Sequence, residues 1–447
     1  MKDFIRVLFV CILLAFQSCL AETLTYDNVL NQAISNSFDL KISNLDIEIS
    51  KANLKSARSE LFPVLTLQAN SEYNNGLGNS RNTVGYVGGT VITSQTQFRN
   101  MGSVGLQYNL FDFGARGKRI LIVENEIAQK KISYDLQLKE LKLKILELYT
   151  KSLQYSEDLK GKAEILKVNE ELFKAKERLF KSGISDKISI MDEAINLART
   201  QDGIKTSKLE LKKCLSDLGT YTQKEYTTDD IKIMDFNSET KQEQVVPVSY
   251  INVQKSEYNF DSKLSLEAKY YDYEIKKKMA ELEVYKRECF PVLKLYSSYL
   301  LYGQDPENYF SSWGDIRQSS FTVGLAATYY MFDGFKNKAS REKATLEIEK
   351  IKLEKDKKLA QIKADYKKTY ASYETYNEEL QIKEAMLKTV TEKLTDINRL
   401  YDKGFKGKND LLETKVELLS QEVELKKNII DLTSKIKELE IMGEINI

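Results

Sequence analysis

The chain carries the same pattern twice. Glu60–Leu67 reads ELFPVLTL and Glu288–Leu295 reads ECFPVLKL, an offset of 228 residues (288 − 60). VGLQYNLFDFG, from Val104 to Gly114, is echoed by VGLAATYYMFDGF from Val323 to Phe335. RLFKSG ending at Gly183 recurs as RLYDKG ending at Gly404, an offset of 221 (404 − 183). Three echoes in one order at similar offsets mark a tandem duplication, so the fold must be built twice from one unit. The first repeat is expected over residues 22–219 and the second over 251–447, with a polar joint at 220–250 that holds Pro247. Each unit reads helix, strand, loop, strand, long helical region. Pro63 and Pro291 sit at equivalent places, where helical pattern gives way to alternation, and are expected to be helix-to-strand junctions.

The helical regions are long and striped. Ile120, Val123, Ile127, Tyr134, Leu138, Leu141, Ile145 and Leu148 follow one another at heptad-like spacing with one slot skipped. Leu412, Val416, Leu419, Val423 and Ile430 repeat the pattern. Such spacing is a coiled-coil seam. A second row of Ile132, Leu136, Leu143 and Leu146 gives the helix two packing neighbours, as the wall of a tube of helices requires. From Arg116 to Lys181 the pattern is nearly unbroken, roughly 100 Å at a rise of 1.5 Å per residue. Periodicity does not decide whether this is one helix or two.

Four segments alternate with period two, at about residues 62–74, 98–112, 290–302 and 319–332. Leu65, Leu67 and Ala69 alternate with Thr66, Gln68 and Asn70; Val323, Leu325 and Ala327 alternate with Thr322, Gly324 and Ala326. An apolar face against a small or polar one, over about ten residues, is the pattern of transmembrane barrel strands. Tyr73, Phe111, Phe113, Tyr330, Phe332 and Phe335 lie near the segment ends, where an aromatic girdle belongs. Four strands cannot close a barrel, and an open edge in lipid leaves backbone groups unpaired, so chains must combine. A homotrimer gives twelve strands (3 × 4) and a dimer eight (2 × 4); both are even. Asn74–Thr96 and Gly303–Gln318, the latter holding Pro306, read as loops at the outer end.

The N-terminus reads as a secretory signal over residues 1–21. Lys2 and Arg6 precede an apolar run from Leu8 to Phe16, and Cys19-Leu20-Ala21 offers a cleavage site before Glu22. A retained N-terminal anchor helix and lipidation at Cys19 are the alternatives, the second of which Phe16 and Gln17 fit poorly. Lys+Arg is 67 and Asp+Glu 66, a balance that gives no reason to expect a nucleic-acid partner. The chain has no histidine, and beyond the signal only Cys214 and Cys289 remain, so no metal or haem site and no cofactor is expected. No catalytic constellation and no phosphate-binding glycine loop is present, and the helical carboxylates read as solvated faces.

With this order of motifs the chain resembles the TolC-like outer-membrane efflux proteins over nearly its whole length. Ala33-Ile34-Ser35-Asn36-Ser37-Phe38-Asp39-Leu40 is similar to that family's opening, with Ser37 where a proline stands. The FPVL stretches at Phe62 and Phe290 resemble its helix-to-strand junctions, and Phe111-Asp112-Phe113-Gly114 and Phe332-Asp333-Gly334 its strand-to-helix exits. The resemblance implies an α+β fold, a transmembrane β-barrel of four strands per chain continuous with a long α-helical coiled-coil tunnel in the periplasm. It implies a homotrimer in outer-membrane lipid that docks to a periplasmic adaptor protein and an inner-membrane transporter. The function implied is a passive exit duct of a tripartite efflux or type I secretion system. A periplasmic adaptor or a coiled-coil scaffold is the competing reading, and neither needs two pairs of bilayer-length alternating segments.

The resemblance is most specific at the glycine turns. Gly404 to Thr414 resembles the family's turn at the periplasmic tip, and Gly183 to Ala194 is its first copy. These turns are the implied docking points of the adaptor. Carried over, the pattern puts Asp410 and Glu413 at the periplasmic mouth as an acidic gate, two rings of three carboxylates in a trimer. Lys406 and Tyr401 match positions that lock the mouth shut. Ser189 replaces the acid such a base would meet, which points the lock toward Asp186 or Asp192.

Overall fold

The computed structural model describes residues 22–74, 85–87, 90–92, 97–184, 186–227, 231–233, 235–236, 261–305, 308–314, 316 and 318–443. The expected signal segment, Pro247 with most of the joint, and Pro306 lie outside the described residues. The chain runs β1 (Glu22–Leu24), α1 (Tyr26–Asn36), α2 (Phe38–Ser59), β2 (Val64–Asn74), β3 (Gly85–Val87), β4 (Thr90–Ile92), β5 (Gln97–Phe111), α3 (Ala115–Lys181) and α4 (Lys187–Thr222). It continues with β6 (Ile231–Ile233), α5 (Leu266–Arg287), β7 (Val292–Asp305), α6 (Tyr309–Gly314), β8 (Gln318–Thr328), α7 (Lys336–Asp402) and α8 (Lys408–Gly443).

The duplication reappears as matched element bounds. β2 and β7 begin 228 residues apart (292 − 64), and β5 and β8 begin 221 apart (318 − 97). α3 and α7 each have 67 residues, and α4 and α8 each have 36. The seven-residue difference (228 − 221) therefore falls between the start of the first paired strand and the start of the second in each repeat. The long pattern from Arg116 to Lys181 is one helix, α3. Contacts divide the chain into two compact units, and each takes parts of both repeats. One holds 45–131 and 269–356; the other holds 1–44, 132–268 and 357–447.

In the first of these units β2, β5, β7 and β8 form one antiparallel sheet in that order. Its register puts like with like. Leu67 lies opposite Val104, Val104 opposite Tyr299, and Tyr299 opposite Phe321, while Gln68, Ser103, Leu300 and Ser320 run along the other face. One face is therefore apolar across all four strands, and it is open: Leu67 is 83 % exposed and Leu325 64 %. The other face is small and polar, with the Tyr296 ring laid across Gly324, where an added Cβ would meet the phenolic oxygen at 2.6 Å. Strand β8 stops at Thr328, short of the expected 332, because its partner β7 has nothing to offer before Val292. The preceding residue, Pro291, has no N–H to give a ladder. A bulge at Asn109/Phe111 brings the last residue of β5 opposite Leu293, where its pairing with β7 ends.

The expected junctions are built alike. α2 ends at Ser59 and α5 at Arg287, and Pro63 and Pro291 are the last residues before β2 and β7. At the strand-to-helix exits two residues turn left-handed, Phe113 (φ 55°) and Gly114 (φ 80°), then Gly334 (φ 66°) and Phe335 (φ 67°). Glycine relieves only one of the two positions in each copy, and not the same one. Asp112 holds the first exit by accepting from the N–H groups of Gly114 and Arg116, with the buried Arg116 guanidinium 3.2 Å away. Asp333 does the same work for the second, accepting from Asn337 N–H at 2.8 Å.

The other unit is helical. Its core gathers β1, α1, α3, α4 and α8 around Tyr149, which is fully buried and donates its hydroxyl to the Leu24 carbonyl at 2.9 Å. β1 pairs in parallel with β6. From the expected seam Leu141, Ile145 and Leu148 are buried, and so is Leu146 from the flanking row. α3 and α8 approach closely at Gly161, where a methyl group would strike the Val423 side chain. Among the described residues no helix is long and apolar enough to cross a membrane.

The sheet facing can be tested by substitution. Leu67→Arg and Leu325→Arg should abolish stable insertion into the outer membrane, since a cation near mid-bilayer costs about 2–4 kcal/mol. Gln68→Arg and Thr322→Arg, on the opposite face, should leave the membrane-inserted amount near that of the unaltered chain, measured in washed outer-membrane fractions. Equal loss in both pairs would mean that the assigned faces are wrong.

Candidate functional site at the hairpin tips

α3 and α4 form one helical hairpin and α7 and α8 the other. Both first helices end in the same way. Gly183 (φ 75°) and Gly404 (φ 78°) are left-handed, which costs glycine nothing. Ile184 N–H reaches back to Leu179 O and Gly183 N–H to Phe180 O, at 2.9 and 2.8 Å. Phe405 to Leu400 and Gly404 to Tyr401 repeat the pair at 2.9 Å each. These paired bonds satisfy the last carbonyls of each helix. Tyr401 thus contributes its carbonyl to the turn, while its side chain is partly exposed.

The second helix of each hairpin is capped by an acid placed differently in the two copies. At the first tip Asp186 is the N-cap and accepts from Ser189 N–H at 2.9 Å. At the second tip Gly407 stands at the cap, and Asp410 reaches back to accept from Gly407 N–H at 3.0 Å. Asp186 matches Gly407 and Ser189 matches Asp410 at the 221-residue offset (407 − 186; 410 − 189). A full capping box uses both groups at one helix; here each copy keeps one half. Ser189 lacks a carboxylate without loss because Asp186 already does the capping.

The remaining site residues are also engaged. Lys406 pairs with Asp410 at 3.2 Å. The Asp410 carboxyl is held below its ordinary range, by the Gly407 N–H first and by Lys406 second. Glu413 meets Lys176 at 3.1 Å, and Lys176 also meets the buried Glu193 at 3.0 Å. Burial pulls the Lys176 ammonium down in pKa, but hydrogen bonds to Glu193 and Glu413 outweigh it and the net shift is upward. Asp192 is exposed.

Sequence reasoning missed the buried ion pairs. Among the helical carboxylates read as solvated, Glu193 and Asp158 are buried. Asp158 on α3 is held by Lys162 of the same helix, by Lys427 on α8 and by Ser207 on α4, which ties three helices together. Burial raises its pKa, and the three partners more than reverse that. No motif could have revealed these residues, because their heptad neighbours are charged as well; only knowledge of which helix faces which distinguishes them.

An open-edged sheet with one exposed apolar face, together with two capped helical hairpins, defines the subunit of a barrel-forming channel. The chain belongs to the outer membrane efflux protein family, whose sequence profile matches residues 29–218 and 274–437. Solved structures share the fold. The Campylobacter jejuni CmeC outer membrane channel is 15 % identical, with 94 % of this chain and 85 % of that chain covered and a TM-score of 0.72. The open state of the Neisseria gonorrhoeae MtrE outer membrane channel is 14 % identical, covering 94 % and 88 %, at 0.71. The Vibrio cholerae outer membrane protein VceC is 13 % identical, covering 93 % and 94 %, at 0.70. A search of curated protein sequences gives no match. The fold is thus that of outer-membrane channels with a β-barrel and a helical periplasmic tunnel, and the chain is an efflux channel component of the outer membrane rather than an enzyme.

The two capping modes predict different responses. Asp186→Ala and Asp410→Ala should each fray the start of one helix, at about 1 kcal/mol. Amide exchange should quicken at 187–190 in the first variant and at 407–410 in the second. Asp410 caps in its ionised form and its folded pKa is lowered. Its stabilisation is therefore complete above the unfolded value and lost as pH falls through the folded one. In the unaltered chain, exchange at the second tip should quicken on acidification through that range. The Asp410→Ala variant should show no such step.

Proposed function

We propose that three copies of this chain form a passive exit duct of a tripartite efflux or type I secretion system. Substrate reaches it from an inner-membrane transporter through a periplasmic adaptor that docks at the tips around Gly183 and Gly404. The observation that carries this reading is the sheet: four strands, an apolar outer face, and two edges, β2 and β8, with no partner among the described residues. Joining β2 of one copy to β8 of the next removes every edge, and three copies supply twelve strands (3 × 4). Outer-membrane fractions should then hold a heat-modifiable trimer. A monomer in the soluble periplasm would overturn the proposal.

At the periplasmic mouth Asp410 and Glu413 form two acidic rings, each carboxylate moderated by its own lysine, Lys406 and Lys176. Converging carboxylates draw cations, so the closed mouth is cation-selective and plugged by multivalent cations. Lys406 and Tyr401 supply one side of the lock between neighbouring hairpins. Asp186 is committed to its own helix, which favours Asp192 as the acid of the other side. In single-channel recordings, Asp410→Ala/Glu413→Ala in an assembled trimer should reduce cation selectivity and block by trivalent cations. If both persist unchanged, the acids are caps and helix ties only.

A further inference from the structure

The β7–β8 connection folds onto a definite side of the sheet. Strand alternation runs unbroken from Val104 and Leu106 back through Gly102 and Asn100 to Phe98, because the β2–β5 register has no shift. Asn100 and Phe98, with Ser71 and Tyr73 opposite them, therefore belong to the apolar face rather than the polar one. Two polar side chains near the end of a lipid-facing surface need partners. α6 supplies them: Asn100 donates to the Ser312 hydroxyl, and Ser71 donates to the Tyr309 hydroxyl at 3.2 Å. Asn100 and Ser312 are both fully buried by this cover, and the Phe98 ring meets Tyr309 edge-on at 5.8 Å.

The helix is held in place by its own turn. Asn308 N–H donates to Asp305, and Phe310 N–H donates to the Asn308 side chain, at 2.7 and 2.9 Å. Tyr309 and Ser312 bind the sheet, Phe310 is 80 % exposed, and Trp313, whose side chain hydrogen-bonds Tyr309, keeps 47 % of its surface open. Trp313 is the only tryptophan of the chain. The helix-to-strand junctions at Pro63 and Pro291 mark the opposite end of the sheet, so α6 stands at its outer rim.

We infer that α6 is an interfacial anchor, a loop helix whose Phe310 and Trp313 enter the outer-leaflet lipid at the boundary between headgroups and acyl chains. The inference rests on the duct reading, since it needs the apolar face in lipid. Continuity names the occupant: α6 lies on the surface the bilayer covers in the duct reading, and an indole whose polar edge is satisfied by Tyr309 can lay its ring in hydrocarbon at that depth. Short amphipathic helices seat about 5–10 Å deep at such boundaries.

Because Trp313 is the sole tryptophan, intrinsic emission of the full-length protein reports this position alone. The trimer is reconstituted in phosphatidylcholine vesicles with bromines placed either near the headgroups or deep in the chains. Emission should be blue-shifted from that of indole in water. It should lose most of its intensity to shallow bromines, less to deep ones, and little to aqueous acrylamide. Conductance of the same vesicles is recorded alongside. A conducting trimer whose Trp313 is quenched by acrylamide and not by bromolipid overturns the anchor and leaves the duct standing. So does one that is blue-shifted yet insensitive to both, which would place the ring against a neighbouring protomer. Vesicles that neither conduct nor show bromolipid quenching overturn both readings.

Discussion

Backbone groups at a strand edge cannot go unpaired in hydrocarbon, and most of what this chain does follows from that. Among the described residues β2 and β8 each have one partner, so half of their N–H and C=O groups point away from the sheet. A soluble protein would blunt such edges with charge or a covering segment. Here Leu65, Leu67, Phe321, Val323 and Leu325 on those two strands face outward and open. Neither edge nor face is tolerable alone in water, and both are satisfied together when copies close a ring in a membrane. Association is thus a condition of the fold.

The duplication meets that condition twice with unequal parts. The matched helices keep their lengths to the residue while the details that hold them have moved. The capping acid sits at the N-cap of one tip and three residues into the helix at the other. The glycine of the exit turn changes place between the first and second left-handed positions. In each case the physical requirement is retained and the residue that meets it is exchanged. That pattern explains why the two tips look so different as strings and so alike as structures.

Much of the architecture was legible in the sequence because it depends on period. Alternation gave the two faces of the sheet, and the register bears it out along all four strands, with Asn100 and Ser71 on the apolar face and Leu300 on the polar one as exceptions. Spacing of threes and fours gave the seam, and Leu141, Ile145 and Leu148 are buried as it requires. The end of β8 was misjudged because alternation persists through Tyr329 and Met331, whereas a strand ends where its partner does. The candidate gate was less legible. Motif matching brought Asp410 and Glu413 to attention but could not show that Asp410 is bound to its own helix start. Nor could it show that Glu413 is bound to Lys176 across the hairpins. Pairings between helices depend on which faces meet, and a heptad stripe flanked on every side by lysine and glutamate does not say.

The unequal length of the outer connections, 75–96 in one repeat and 306–317 in the other, has its own consequence. A ring closed from copies of this chain shows each repeat once per copy, so longer and shorter rim segments must alternate around the opening. The rim then carries the rotational symmetry of the chains and not that of the doubled unit.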